Sequence, residues 1–231
     1  MENGNQYRVG GFSVLPPAVK NLLILNFIVW LLDLSLQTRG IDIAKWLGLH
    51  YITAENFYPW QYVTYMFLHQ GFSHIFFNMF ALWMFGYAIE NAWGSKRFLF
   101  YYFVTGIGAG LVQTVVVGID VATSFGTFLP DMNIIHPIDA RTINNIVTIG
   151  ASGAVFGILL AFGMMFPNMY IYIYFLLPIK AKWFVIIYGV LELIAGIGGS
   201  GDNVAHFAHL GGMLFGIGLI LYWRKYGSRI R

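Results

Sequence analysis

The sequence predicts an all-α integral membrane protein built as a bundle of six transmembrane helices. Three observations predict it. Hydrophobic residues make up 58% of the chain and charged residues only 10%, against roughly a quarter charged in soluble proteins. The mean hydropathy is +0.68. The apolar residues fall into six runs long enough to be spans, each needing about 20 residues. With 231 residues, the runs leave little chain for a separate soluble domain.

Taken in order, the runs cover about 21–38, 72–93, 98–119, 147–166, 181–197 and 204–223. The first has no small-residue cleavage site after Leu36-Gln37-Thr38-Arg39 and is expected to remain as a helix. It is interrupted by Asn26 and Asp33, and the short fifth run carries Glu192. Polar groups within the bilayer are costly unless they face protein or water. Residues 39–71 and 120–146 form long connections, whereas those near 94–97, 167–180 and 198–203 are shorter. Tyr170-Ile171-Tyr172-Ile173-Tyr174 alternates like a strand, but three tyrosines beside Pro167 and Pro178 favour an interfacial aromatic belt. No internal repeat suggests a solenoid or an inverted-repeat transporter.

Charge sets the orientation, because positive residues collect on the cytoplasmic side. With the N-terminus inside, ten Lys and Arg residues fall on the inner side, and only Arg39, Lys45 and Arg141 on the outer. Both termini are therefore expected in the cytoplasm and both long loops outside. The basic residues flank apolar runs without forming a basic tract, which argues against nucleic acid as a partner. The chain has no cysteine, which excludes disulfides, thiolate metal sites and cysteine nucleophiles.

This topology brings unusual polar residues to one depth. Spans two, four and six run from outside to inside, carrying His74 and Asn78, Ser152, and His206 and His209 in their first turns. Ser152 lies ~10 Å beyond Asn144-Asn145, and His209 a similar distance beyond Asp202-Asn203. His74 and Asn78, four apart, share a helix face, where they either bond helices together or take part in a site. Gly153 and Gly157 make one small-residue face; His209, Gly212 and Gly216 make another. Packing along them would bring Ser152 and His209 within ~3 Å, the separation at which a histidine activates a serine. His206 is the alternate base, and the glycine register favours His209.

Other catalytic readings are weaker. Gly199-Ser200-Gly201-Asp202 matches the GxGD pattern of presenilin-type aspartyl proteases, but Asp202 follows a glycine-rich turn and only Asp33 offers itself as a partner. A zinc protease lacks the HExxH motif, and His206 with His209 has no evident third ligand. Asp33 and Glu192 are placed outside the converging layer and left without a role. A helix-escorting pseudoprotease and a transporter with a polar cavity remain as rivals.

The chain resembles the rhomboid family. The resemblance is carried by His74-Ile75-Phe76-Phe77-Asn78, the Gly86, Glu90, Gly94 series, Gly150-Ala151-Ser152-Gly153, and Ala208-His209 followed by Gly212 and Gly216, all in family order. It covers residues 21–223 as a six-helix rhomboid-like domain, between a short cytoplasmic tail at 1–20 and a basic one at 224–231. It implies an intramembrane serine endopeptidase with a Ser152–His209 dyad lacking a carboxylate. His74, Asn78 and the Ser152 backbone N–H would stabilise the oxyanion. It implies no cofactor and no metal, with membrane lipid and single-pass transmembrane proteins as partners; six spans with inner positive charge fit a bacterial inner (plasma) membrane location. His69 matches a family histidine position before span two but is kept out of the core site, since a loop histidine is as readily solvated, and Glu90 is read as structural. The short fifth span and the glycine-rich 198–201 segment would form a gate. Two departures stand out: Trp60-Gln61 where many members have Trp-Arg, and Phe156 where some carry a tyrosine that packs on the histidine.

Overall fold

The computed structural model describes residues 13–173, 176–198 and 204–226. The GxGD-like segment and residues 199–201 of the expected gate lie outside the described residues, as does Tyr174.

The chain opens with α1 (Pro17–Gln37), whose proline at the first helical position suits a site where no N–H partner exists. This helix starts four residues before the apolar run expected at 21, because its amino end is capped from another span. Ala18 N–H and Val19 N–H donate to Glu90 Oε1 and Oε2 at 2.8 and 2.7 Å, and Ser95 Oγ–H donates to Oε1 at 2.6 Å. Glu90 is thus the structural carboxylate expected from its place at the far end of its helix.

The first long connection folds into α2 (Ala44–Leu47), β1 (Leu49–His50), α3 (Gln61–Thr64) and a 3-10 turn at Tyr65–Phe67. Gln61 is fully buried. Its Nε2 donates to Trp46 O and Asn56 O at 3.2 and 2.7 Å, and His50 N–H donates to its Oε1. A neutral amide therefore anchors this loop without the positive charge that an arginine would bring.

Two long helices follow, α4 (Gly71–Trp93) and α5 (Ser95–Phe125), the latter running six residues beyond the predicted end at 119. The second connection carries α6 (Pro137–Asn144) and β2 (Val147–Thr148), which pairs antiparallel with β1. The two long loops are thereby tied to each other.

The fourth span differs most from expectation. Residues 147–151 are not helical, and α7 covers only Ser152–Met165. Pairing with β1 claims Val147 and Thr148, and Gly150 has φ +126°, a conformation that ends any helical path. Fourteen residues give a helix of about 21 Å, shorter than the ~30 Å hydrocarbon core. Ser152 therefore stands at the amino end of a short helix.

After α7, β3 (Tyr170–Ile173) and β4 (Leu177–Lys180) pair as an antiparallel hairpin. The alternation at 170–173 is thus a strand, correcting the aromatic-belt expectation, although Tyr170 and Tyr172 do point outward from it. The bundle closes with α8 (Ala181–Gly198) and α9 (His206–Tyr226).

Five helices, α1, α4, α5, α8 and α9, are long and apolar enough to cross a membrane, and α7 is a shorter apolar helix among them. Helix α7 sits at the centre, packed by α4, α5, α9 and α8, and most of its side chains are buried. Helices α1 and α8 expose many leucines and isoleucines, as lipid-facing helices do.

Candidate active site

Close backbone approach builds the site. A Cβ on Gly212 would collide with the carbonyl of Gly153, so α9 and α7 meet main chain to main chain one residue beyond Ser152 and one turn beyond His209. The two glycine faces do not run along each other for their full length, however. Gly157 faces Thr105 of α5, where a Cβ would lie 2.6 Å from the Thr105 Cβ, and Gly216 faces Tyr101, also of α5. Tyr101 O–H donates to Gly157 O at 2.8 Å, so α5 holds the lower halves of both helices.

At the top of this contact, His209 Nε2 lies 2.8 Å from Ser152 Oγ. His209 is buried, and the Phe156 ring is stacked on it with centroids 4.2 Å apart and planes at 4°. The phenyl ring thus supplies the packing expected of a tyrosine. Ser152 is the first residue of α7, where backbone N–H groups have no intrahelical partner and the helix dipole is positive.

His74 stands beside this serine. A Cβ on Gly150 would lie 2.8 Å from His74 Nε2 and 3.7 Å from Ser152 Oγ, so the missing side chain is the space these two groups share. His74 Nδ1 accepts the Gln70 N–H at 3.2 Å. A neutral imidazole with Nδ1 accepting carries its proton on Nε2, the atom nearest the serine. Asn78 is buried one turn further on, but its Nδ2 donates to His74 O at 2.9 Å, along its own helix.

The structure settles His69, which the sequence left open, and overturns the placement of Glu192. His69 is buried rather than solvated; its ring meets His74 edge-on at 5.0 Å, and its Nε2 lies 3.5 Å from Ala151 N. Burial, reinforced by the neighbouring His74, pushes its pKa down to about 3, so it is neutral. Glu192 lies inside the converging layer rather than outside it. Its Oε2 is 2.8 Å from His209 Nδ1 and 2.7 Å from His206 Nδ1. The signal available in the sequence was a lone carboxylate in an apolar span, which has to find a partner. Asp33, by contrast, accepts from Gln37 Nε2 at 2.8 Å on α1.

Glu192, His206 and His209 also constitute the third-ligand set that the sequence did not offer, with ligand atoms within 4.8 Å of one another. Their spacing suits hydrogen bonds better. Two ligand atoms on a tetrahedral zinc lie about 3.4 Å apart, whereas each Nδ1 here is within 2.8 Å of the carboxylate oxygen.

Fold and site together define a helical membrane protein with a serine–histidine pair at the head of a short central helix. The Rhomboid domain family model matches residues 56–226, and the chain belongs to the rhomboid family. It is an integral, multi-pass membrane protein. Rhomboid-like protein 11, chloroplastic, of Arabidopsis thaliana is 31% identical over 216 residues, covering 90% of this chain and 65% of that protein. The putative rhomboid protease YdcA of Bacillus subtilis is 29% identical, covering 64% of this chain and 61% of its own length. Rhomboid protease GluP of the same organism is 31% identical, covering 68% and 24% respectively. The chain thus spans less than two thirds of the length of these curated relatives.

Proposed function

We propose that the chain is an intramembrane serine endopeptidase that hydrolyses peptide bonds in or near transmembrane segments of single-pass membrane proteins. The observation that carries this reading is the 2.8 Å contact between Ser152 Oγ and His209 Nε2. It is supported by family membership and by relatives named as rhomboid proteases.

Ser152 Oγ attacks the scissile carbonyl carbon as His209 Nε2 takes its proton, forming the tetrahedral intermediate. The oxyanion develops next to the free N–H groups at the start of α7, where the helix dipole favours negative charge. His74 Nε2–H lies on the same side, with the right polarity to donate. Asn78 joins it once its amide, which has two N–H groups, turns one of them from the helix backbone toward the substrate. His209 then protonates the leaving amine, and a water attacks the acyl-enzyme with His209 as base. No step of this scheme calls for a metal or organic cofactor.

Water has to enter from the face where α7 begins, and the substrate helix has to unwind locally, because its carbonyls are satisfied within the helix. Small or helix-destabilising residues are therefore expected around the cleaved bond. The charge asymmetry supports an orientation with that face outside and both ends of the bundle in the cytoplasm, an arrangement that suits a bacterial inner membrane.

The test is cleavage of a single-pass transmembrane reporter in liposomes, together with fluorophosphonate labelling, comparing wild type with Ser152→Ala and His209→Ala. Loss of both signals in each variant is expected. Cleavage that survives Ser152→Ala would overturn the reading.

A further inference from the structure

We propose that Glu192 is a positioning residue for His209, extending the serine–histidine pair into a hydrogen-bonded chain from Ser152 through His209 to a buried carboxylate that His206 also holds. The proposal rests on the catalytic reading above and goes beyond the dyad that the family resemblance implies.

Three contacts carry it. Ser152 Oγ lies 2.8 Å from His209 Nε2, His209 Nδ1 lies 2.8 Å from Glu192 Oε2, and His206 Nδ1 lies 2.7 Å from the same oxygen. An ionised carboxylate only accepts hydrogen bonds, so both Nδ1 atoms carry protons. In neutral His209 this leaves the Nε2 lone pair facing Ser152, and the serine hydroxyl donates. The opposite tautomer would donate to Ser152 Oγ and be unable to take its proton. Glu192 thus sets the direction of the chain from two bonds away.

The same contact acts during the reaction. When the Oγ proton moves to Nε2, His209 becomes an imidazolium between two ionisable neighbours, Glu192 on α8 and His74 on α4, beneath the Phe156 ring and near Tyr188. The carboxylate balances the new positive charge and stays ionised, and the proton travels no further than His209.

Placement supports a dedicated role. Only 17% of the apolar stretch of α8 is buried, against 44% for α9, so α8 is largely a lipid-facing helix. A carboxylate there is costly without strong partners. His206 and His209, three apart on α9, present both Nδ1 atoms to it. His206 fixes the carboxylate against the pull of the rest of α8.

The test has two readouts on wild type, Glu192→Gln and Glu192→Leu in detergent micelles or nanodiscs. The first is the His209 tautomer, read by 15N NMR of histidine-labelled protein and assigned by subtraction of His209→Gln. Wild type should show the proton on Nδ1, and Glu192→Leu should lose that preference. This readout needs no substrate, so it bears on Glu192 whatever the chain cleaves. The second is reporter cleavage. Glu192→Gln keeps shape but loses charge, and its kcat should fall about 10- to 100-fold with KM and melting temperature close to wild type. A His209 tautomer unchanged in Glu192→Leu, or a Glu192→Gln kcat within twofold of wild type, overturns the positioning role. Ser152→Ala in the same assay separates that outcome from failure of the serine mechanism itself.

Discussion

The phenyl ring of Phe156 lies flat on the imidazole of His209, with centroids 4.2 Å apart and planes at 4°, one turn below the serine that the imidazole touches. The stack keeps His209 from tilting out of its plane, while the contacts to Ser152 and Glu192 set its position within that plane. Stacked rings contribute about 1 kcal/mol beyond their buried area, which corresponds to roughly fivefold in rate. Phe156→Ala should therefore lower kcat by at least that factor, whereas Phe156→Tyr should retain it. Single-turnover cleavage of a reporter reads the difference.

Gly212 has no room for a side chain, since even a Cβ would collide with the Gly153 carbonyl. Gly212→Ala should push α9 from α7 and lengthen the Ser152–His209 contact, and a displacement of ~1 Å costs on the order of 100-fold in rate. Gly218, on the same helix, has open space at its Cβ position, and Gly218→Ala should label as wild type. The rate of fluorophosphonate labelling compares the two.

Glu90 accepts three hydrogen bonds at the opposite end of the bundle from Ser152. Glu90→Ala would leave Ala18 N–H, Val19 N–H and the Ser95 hydroxyl without that partner, costing about 2–4 kcal/mol. Thermal unfolding in micelles should show the loss, with kcat of the folded fraction unchanged. A proton-relay role would produce the reverse pattern.

His69 gives the fold an acid limit. Its folded-state pKa is pushed down to about 3 by burial and by His74, from the ordinary histidine value of about 6.5. The unfolded chain therefore takes up the proton first, so this contribution to stability is complete above pH 6.5 and is lost as pH falls from there towards 3. The slope is at most about 1.4 kcal/mol per pH unit. The melting temperature of His69→Gln should fall less steeply than that of wild type between pH 7 and 5.

Much of the fold was legible because lipid imposes strong rules. Spans had to be apolar and of a set length, so five of the six runs reappear as long helices. The exception, α7, is instructive. Val147 and Thr148 read as part of an apolar run, yet they pair with Leu49 and His50 about a hundred residues earlier, and periodicity within one segment carries no trace of that partner. The strand at Tyr170–Ile173 was similarly ambiguous until Leu177–Lys180 came to lie beside it.

The site divides in the same way. The sequence by itself determined the membrane class and brought forward Ser152 and His209, because glycines three and four residues apart mark the face on which a helix admits a neighbour's backbone. It also identified Glu192 as a costly charge in an apolar span. Only the tertiary structure decided that Glu192 meets His209 and His206, that Gln61 anchors the outer loop, and that His69 is buried. Helical spacing determines which face of its own helix a residue occupies, whereas the identity of the group opposite depends on the rotation and depth of the neighbouring helix, and these are set by packing over the whole bundle.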